Sequence, residues 1–353
     1  MTTNLPIFDG HNDVLLRLYR SKSSDAVSDF LFGEDAGHID LKKARAGGFV
    51  GGLFAMYSPS PGNFASLSKA MTGGTYAVPL PAPLPIEDAR KSVAGELAIL
   101  LRVIRQSQGA VALCKTTTEI RAAIARKTLA VVLHLEGCEA IDEDLNFLEV
   151  LYAAGLRSLG PVWSRNNIFG HGVPFQFPAS PDLGYGLTAA GEKLVSACNE
   201  MKILVDLSHI TEKGFWDVAR LSKAPLVATH SNAHALCPSP RNLTDRQLAA
   251  IRDTQGMVGL NFATCFLRPD GSMKADTEIE LMVRQLDYLI EKVGEDHVGL
   301  GSDFDGAVVP EKIGSAAGLP VLVQALRQGG YSESLLKKLG STNWLDLLER
   351  TIG

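Results

Sequence analysis

An α/β architecture, a (β/α)8 barrel of the TIM type, is the fold the sequence predicts, and three observations carry the prediction. Eight apolar, β-rich runs alternate with amphipathic stretches from one end of the chain to the other. Most of these runs lack a polar residue at every second position, as strands do when helices cover both faces of a parallel sheet. The rival, an open doubly wound sheet, would carry a glycine-rich phosphate turn after its first strand; DGHND stands there instead.

In order, the strands are expected at Ile7–Val14, Phe49–Tyr57, Thr128–Glu136, Leu156–Trp163, Ile203–His209, Pro225–His230, Met257–Phe262 and Val298–Asp303. Helices are expected over Ile86–Gln108, Asp142–Ala154, Thr188–Met201, Thr211–Leu221, Thr244–Asp253 and Asp276–Val293. Thr188, Thr211 and Thr244 make good caps, because a threonine oxygen accepts from the free amides of a first helical turn. Two segments stand outside the repeat: Ser58–Pro85, rich in Pro, Gly and Ser, and Ser164–Gly186, expected to arch over the barrel mouth. Neither is long enough for a domain. A barrel with long loops can use all 353 residues, so residues 1–353 are expected to form one domain.

Composition excludes several classes of function. The chain is 46% apolar and 21% charged, an ordinary globular balance. Its 34 basic and 39 acidic residues leave a net charge of −5 with no basic run, which argues against a nucleic-acid partner. No apolar stretch approaches the roughly 18 residues of a membrane span, and MTTNLPIFDGHND lacks the basic and apolar regions of a signal peptide. The 5 cysteines have no CxxC spacing and fit free thiols in a reducing compartment, so a soluble cytoplasmic protein is expected.

Barrel enzymes build their sites where the C-terminal ends of the strands converge. The first run ends in Asp9-Gly10-His11-Asn12-Asp13, where His11 and Asp13 project to one side of an extended chain. The third ends in His134-Leu135-Glu136, the fifth in Asp206-Leu207-Ser208-His209, the sixth in Thr229-His230 and the eighth in Ser302-Asp303-Phe304-Asp305. Singly, each histidine fits a structural role, and Glu136 or Asp303 could merely cap a loop. Jointly, imidazoles and carboxylates from separate strands at one end suit a first-row divalent metal, and their number exceeds the three protein ligands usual for one catalytic zinc. The division this suggests is two ions: His11 and Asp13 on one, His209 and His230 on the other, and Glu136 bridging. Such ions sit about 3.5–4 Å apart around a shared water whose pKa falls from ~15.7 towards ~7.

DGHND, HLEG, DLSH, THSNAHAL, PRNLTD and GLGSDFDG, in this order from Asp9 to about Gly306, resemble the membrane dipeptidase (renal dipeptidase) family of the amidohydrolase-like barrels. The resemblance implies two Zn2+ per chain, held by the ligands just divided, and hydrolysis of dipeptides with tolerance of a D-residue on the carboxyl side. It sets Asp303 beside the metals, where it would take a proton from the bridging water and pass it to the departing amine; the alternative is a plain hydrogen-bond acceptor. Gly299, Gly301 and Gly306 would let substrate approach closely, and Asp305 would hold the loop. Arg241, on the proline-stiffened loop PSPRN, would clasp the free carboxylate of a dipeptide in a bidentate pair; the alternative is a surface arginine tying down its loop.

The sequence also departs from that family. A histidine on the fourth strand, thought to contact the reacting carbonyl, is replaced by Trp163, so oxyanion stabilisation is expected to weaken or to come from His171 or Arg165. A tyrosine expected after Asn261-Phe262 is Ala263. Among the other histidines, His134 reads as core, His234 as a loop residue, and His38 and His297 as distant from the mouth. Cys138 and Cys265 have no base to activate them. The primary expectation is a zinc dipeptidase. The alternatives are another binuclear metal amide or ester hydrolase acting on N-acyl amino acids or lactones, and a non-catalytic metal-binding scaffold. Homodimers are common in the family. Its vertebrate members are secreted and lipid-anchored, properties for which this sequence shows no signal.

Overall fold

Eight parallel strands follow one path in the computed structural model, which describes residues 4–61 and 69–353. The path runs Leu204–Val205, Leu156–Gly160, Leu129–Glu136, Phe49–Tyr57, Ile7–Asn12, Val298–Gly301, Met257–Asn261 and Val227–Ala228. Its two ends meet through a parallel bridge between Asp206 and Val227, reinforced by the Leu207 amide donating to the Val227 carbonyl at 2.8 Å. The barrel is therefore nearly closed, as expected. Strands are largely buried, and every residue of Leu129–Glu136 and Ile7–Asn12 is so, the consequence of helices on the outside and packed side chains within.

The fifth and sixth strands are shorter than expected, two residues each in place of Ile203–His209 and Pro225–His230. Side chains take over the pairing there. Asp206 Oδ1 accepts from the amides of Ser208 at 3.0 Å and Thr229 at 2.8 Å, and Ser208 Oγ accepts from the His230 amide at 3.1 Å. Beyond Leu207 the chain is thus freed from regular ladder geometry, and His209 adopts a φ of +67°. The fourth strand likewise ends at Gly160, short of Trp163. The helix expected from Asp142 begins at Asn146, because the Asp142 carboxylate accepts from the amides of Asn146 and Phe147 and holds a turn ahead of it.

Other elements lie outside the eightfold alternation. A short strand, Val111–Leu113, adds to the outer side of Leu129–Glu136, and helices Val14–Arg20, Ala26–Phe32 and Leu41–Gly47 intervene between the first two barrel strands. Of the expected loop Ser58–Pro85, residues 62–68 lie outside the described residues; Tyr76–Ala77 pairs with Gln176–Phe177 of the second loop, so the two expected excursions join. Thr188, Thr211 and Thr244 all cap their helices as expected. Among the described residues, no helix is long and apolar enough to cross a membrane.

The base of the barrel is closed by Trp344 of the helix Asn343–Thr351, which is fully buried and donates from Nε1 to the Leu300 carbonyl at 2.9 Å. Glycine is required beneath it: a Cβ on Gly299 would stand 2.5 Å from Trp344 Nε1, one on Gly259 3.1 Å from its ring, and one on Gly10 would strike the same ring. This corrects the expectation for two glycines near Asp303. Gly299 serves Trp344 at the base and Gly301 abuts the Thr229 carbonyl inside the barrel; only Gly306 borders the mouth.

Candidate metal centre

At the opposite end the strands deliver their polar residues to one point. His11 leaves the first strand with its whole ring buried, and Asp13 follows as the strand gives way to helix Val14–Arg20. The Oε1 atom of Glu136, at the end of the third strand, lies 3.6 Å from His11 Nε2, 3.0 Å from His209 Nε2 and 3.4 Å from His230 Nε2. Asp13 Oδ2 lies 3.4 Å from His11 Nε2 on the other side. The five residues expected from sequence to share two ions are brought together, with Glu136 at their centre.

The imidazoles are oriented by hydroxyls. His209 Nδ1 faces Ser164 Oγ at 2.8 Å, and His230 Nδ1 faces Thr229 Oγ1 at 2.8 Å. Since Thr229 Oγ1 donates its own proton to Asp206 Oδ2 at 2.6 Å, it can only accept from His230, which puts the His230 proton on Nδ1 and the lone pair on Nε2. Burial, and after it the charges of Arg241 and His11, push the pKa values of His209 and His230 well below the ordinary histidine range. Both are neutral donors aimed at Glu136.

Charge at this point is out of balance. Burial pushes the Glu136 carboxyl well above its usual pKa, with Asp13 and Asp303 adding repulsion. Burial alone would drive His11 down, but Glu136 and Asp13 outweigh it and raise its pKa to about 10. Yet His11 makes no hydrogen bond at either nitrogen despite complete burial. Orphaned imidazole nitrogens, neutral neighbouring imidazoles and crowded carboxylates are the donor set that a divalent cation satisfies, so the residues present fit the metals expected of them.

Asp303 sits at the rim, half-buried, with its amide donating to the His11 carbonyl at 3.0 Å and its Oδ2 accepting from Asn261 Nδ2 at 2.9 Å. Burial, with Asp13 nearby, raises its pKa to about 6. Arg241 is no surface residue: it is only 3% exposed, donates from Nη2 to the His230 carbonyl at 3.0 Å and from Nη1 to Ser231 Oγ at 3.3 Å, and lies over the Phe266 ring. Among the described residues its Nε finds no hydrogen-bond partner.

Trp163 reaches the centre, its ring 5.7 Å from that of His209 and flanked by Tyr57 and Phe175. Of the two residues named to compensate for it, Arg165 is committed elsewhere. Arg165 is buried in an ion pair with Glu139 at 3.0 Å and hydrogen-bonded to Ser60 Oγ and the Ser58 carbonyl. The His171 ring packs against Tyr185, 5.3 Å between centroids, on the outer part of the loop. His134 is core as expected, with Nδ1 2.8 Å from Ser158 Oγ beneath His11, and His234 ties its loop to the Ala179 carbonyl. His297 binds the Gly256 carbonyl ahead of the seventh strand, far from the mouth. His38 departs from expectation: it packs on Phe304 and bonds to Asp305, beside Asp303. Asp305 holds its loop, as expected. All five cysteines are free and buried, and burial raises the Cys138 and Cys265 thiols further.

Ser164, Thr229 and Asn261 are the functional neighbours that sequence reasoning passed over. Thr229 adjoins a ligand candidate in the chain and was findable; Ser164 and Asn261 reach the centre only through the fold.

Comparison with known proteins places this geometry. The family model for membrane dipeptidase, peptidase family M19, matches residues 1–351. A Rhodobacter sphaeroides metallopeptidase, solved with a phosphinate mimic of the dipeptide L-Ala-D-Ala, is 52% identical, with a TM-score of 0.97 and 99% of each chain covered. A solved dipeptidase described as a metallopeptidase of family M19 gives the same identity, coverage and TM-score. A Klebsiella pneumoniae protein, known as an uncharacterized protein in the pqqA 5′ region, is 52% identical over 72% of this chain and 94% of its own length.

Proposed function

Because this chain belongs to the membrane dipeptidase family of metallopeptidases, peptidase family M19, we propose that it is a zinc-dependent dipeptidase that hydrolyses the single peptide bond of dipeptides, L-D dipeptides among them. His11 and Asp13 would hold one zinc, His209 and His230 a second, and Glu136 both. When bound, the pair polarises the scissile carbonyl and lowers the pKa of the water it shares towards ~7, which makes hydroxide available for attack. The observation that carries the proposal is Glu136 Oε1 at 3.0–3.6 Å from three Nε2 atoms.

The remaining residues divide the work. Arg241 grips the free carboxylate through the donors not committed to His230 and Ser231, which limits substrates to peptides whose carboxylate lies one residue beyond the cleaved bond. Asp303 holds the proton at Oδ1, since Oδ2 is engaged by Asn261, and delivers it to the departing amine nitrogen. The phosphinate mimic of L-Ala-D-Ala bound by the R. sphaeroides relative supports the dipeptide class and the D-residue. Metal analysis of purified protein is expected to return close to two zinc ions per chain, with activity on L-D and L-L dipeptides. Full activity after chelation overturns the proposal.

A second reading, hydrolysis of N-acyl amino acids or lactones at the same centre, rests on Trp163, which with Tyr57 and Phe175 gives the pocket an aromatic wall beside His209. A substrate panel separates them: turnover of N-acyl amino acids above that of dipeptides favours the second.

A further inference from the structure

The segment 33–40 carries no group of the metal centre, yet it is pinned at almost every position. Lys43 Nζ donates to the carbonyls of Glu34, Ala36 and Gly37 at 2.8, 2.9 and 3.0 Å. Arg17, from the helix that follows Asp13, donates from Nη2 to the Ile39 carbonyl at 2.6 Å and pairs with Glu34. The pinned segment presents one residue to the loop after the eighth strand. The His38 amide donates to Asp305 Oδ1 at 2.6 Å, and the Asp305 amide donates back to His38 Nδ1 at 2.8 Å. Arg17 Nε closes the group at 3.1 Å from the same Oδ1.

What this reciprocal pair holds is a strained turn. Asp303 and Asp305 have φ of +57° and +68°, a left-handed backbone that non-glycine residues seldom adopt. Between them Phe304 is fully buried, wedged between the rings of His38 and Phe262 at 5.5 Å each. Strain of this kind persists only where surrounding contacts over-determine it. The turn also fixes the carboxylate at the mouth: a Cβ on Gly306 would stand 2.7 Å from Asp303 Oδ1, so this chain path leaves just enough room for that side chain.

We infer that His38, with Arg17, is a positioning residue for the reaction: it clamps Asp305 and thereby sets the Asp303 carboxylate against the metal centre. The inference rests on the proposed proton-carrying role of Asp303. The imidazole suits the clamp as an acceptor, since burial holds its pKa below the ordinary histidine value against the pull of Asp305 and with the help of Arg17 and Lys43. Asparagine can imitate that acceptor through Oδ1; leucine cannot.

The test compares His38→Leu, His38→Asn and Asp303→Asn in zinc-loaded protein, reading kcat, KM and zinc content on one dipeptide. Misplacement of a reacting group by about 1 Å costs on the order of 10²-fold in rate. His38→Leu is therefore expected to lower kcat by roughly 10- to 100-fold, with KM and zinc content near wild type, and His38→Asn to recover most of the loss. A His38→Leu enzyme at full kcat beside an inactive Asp303→Asn overturns the clamp alone; equal impairment in His38→Leu and His38→Asn does so too. Full activity in Asp303→Asn removes the proton role of Asp303 and the reading beneath the clamp. Where His38→Leu does not fold, Asp305→Ala and Asp305→Asn take its place. The asparagine keeps an acceptor for the His38 amide and should retain the higher kcat; equal kcat in the two overturns the clamp.

Discussion

Substituting Arg241 probes the dipeptide reading most directly. Of the five N–H donors of its guanidinium, one is given to the His230 carbonyl and one to Ser231 Oγ, and Nε finds no partner among the described residues in a site only 3% exposed. The uncommitted donors can meet a carboxylate in two parallel, charge-assisted bonds, each worth about 1.5–3 kcal/mol. Arg241→Lys keeps the charge and one such bond, so kcat/KM on a dipeptide should fall roughly 10- to 150-fold, at about 1.4 kcal/mol per decade. Arg241→Met loses both bonds and should fall further. The decisive assay is a double-mutant cycle using the dipeptide and its C-terminal amide, whose neutral end accepts fewer and weaker bonds. Wild type should prefer the free acid strongly, and Arg241→Met should scarcely distinguish the two. If the variant keeps the wild-type preference for the free acid while losing activity on both, Arg241 does not grip the carboxylate and the restriction to dipeptides needs another source. Zinc content, measured in each variant, guards against a collapsed site, because His230 lends its carbonyl to Arg241.

Glu136→Gln should reduce bound zinc from two ions per chain to one or fewer and lower kcat at least 100-fold, since the carboxylate close to all three Nε2 atoms becomes a neutral amide; retention of two ions by mass spectrometry of the native protein contradicts the bridge. Asp303 must be ionised to accept a proton; burial raises its pKa to about 6 even with His11 and Arg241 pulling it down, and bound zinc would lower it further. The acid limb of kcat should therefore lie at or below pH 6, with activity lost as pH falls through it, and Asp303→Asn should lower kcat by about 10²–10⁴-fold and abolish that limb. Gly299→Ala sets a methyl 2.5 Å from Trp344 Nε1 and should cost about 1–3 kcal/mol in denaturant unfolding, with kcat of the folded fraction unchanged; a fall in kcat at unchanged stability restores the glycine to the substrate path.

The barrel was legible because its signal is additive along the chain. Continuous apolar runs such as Leu129–Glu136 fold as written, since burial on both faces leaves no polar alternative. The strand ends were legible in content but not in conformation: Asp206, Ser208 and Thr229 read as strand, and only in three dimensions do their side chains replace the ladder between two neighbours. The five ligand candidates were found for the reason the fold was found, each standing at the end of such a run. Residues of the loops were not. Nothing local to Arg165 reveals that Glu139 neutralises it or that Ser58 and Ser60 complete its shell, because those partners lie 26 to 107 positions away.

That asymmetry bears on where specificity resides. The candidate ligands come from strand ends whose positions the barrel dictates. The pocket around the centre is lined by Trp163 and Phe175 from one loop, Phe266 from the segment after the seventh strand, and Tyr57 at the end of the second strand. Arg165, on the loop that carries Trp163, is tied to Glu139, and the His171 ring packs on Tyr185. On the proposed reading, bound metals would meet the charge that develops at the reacting carbonyl, while the charge of Arg241 already bears on Glu136 and Asp303. Chemistry would then sit with the strand-end residues and substrate grip with the buried Arg241 guanidinium, leaving the aromatic wall to select by shape.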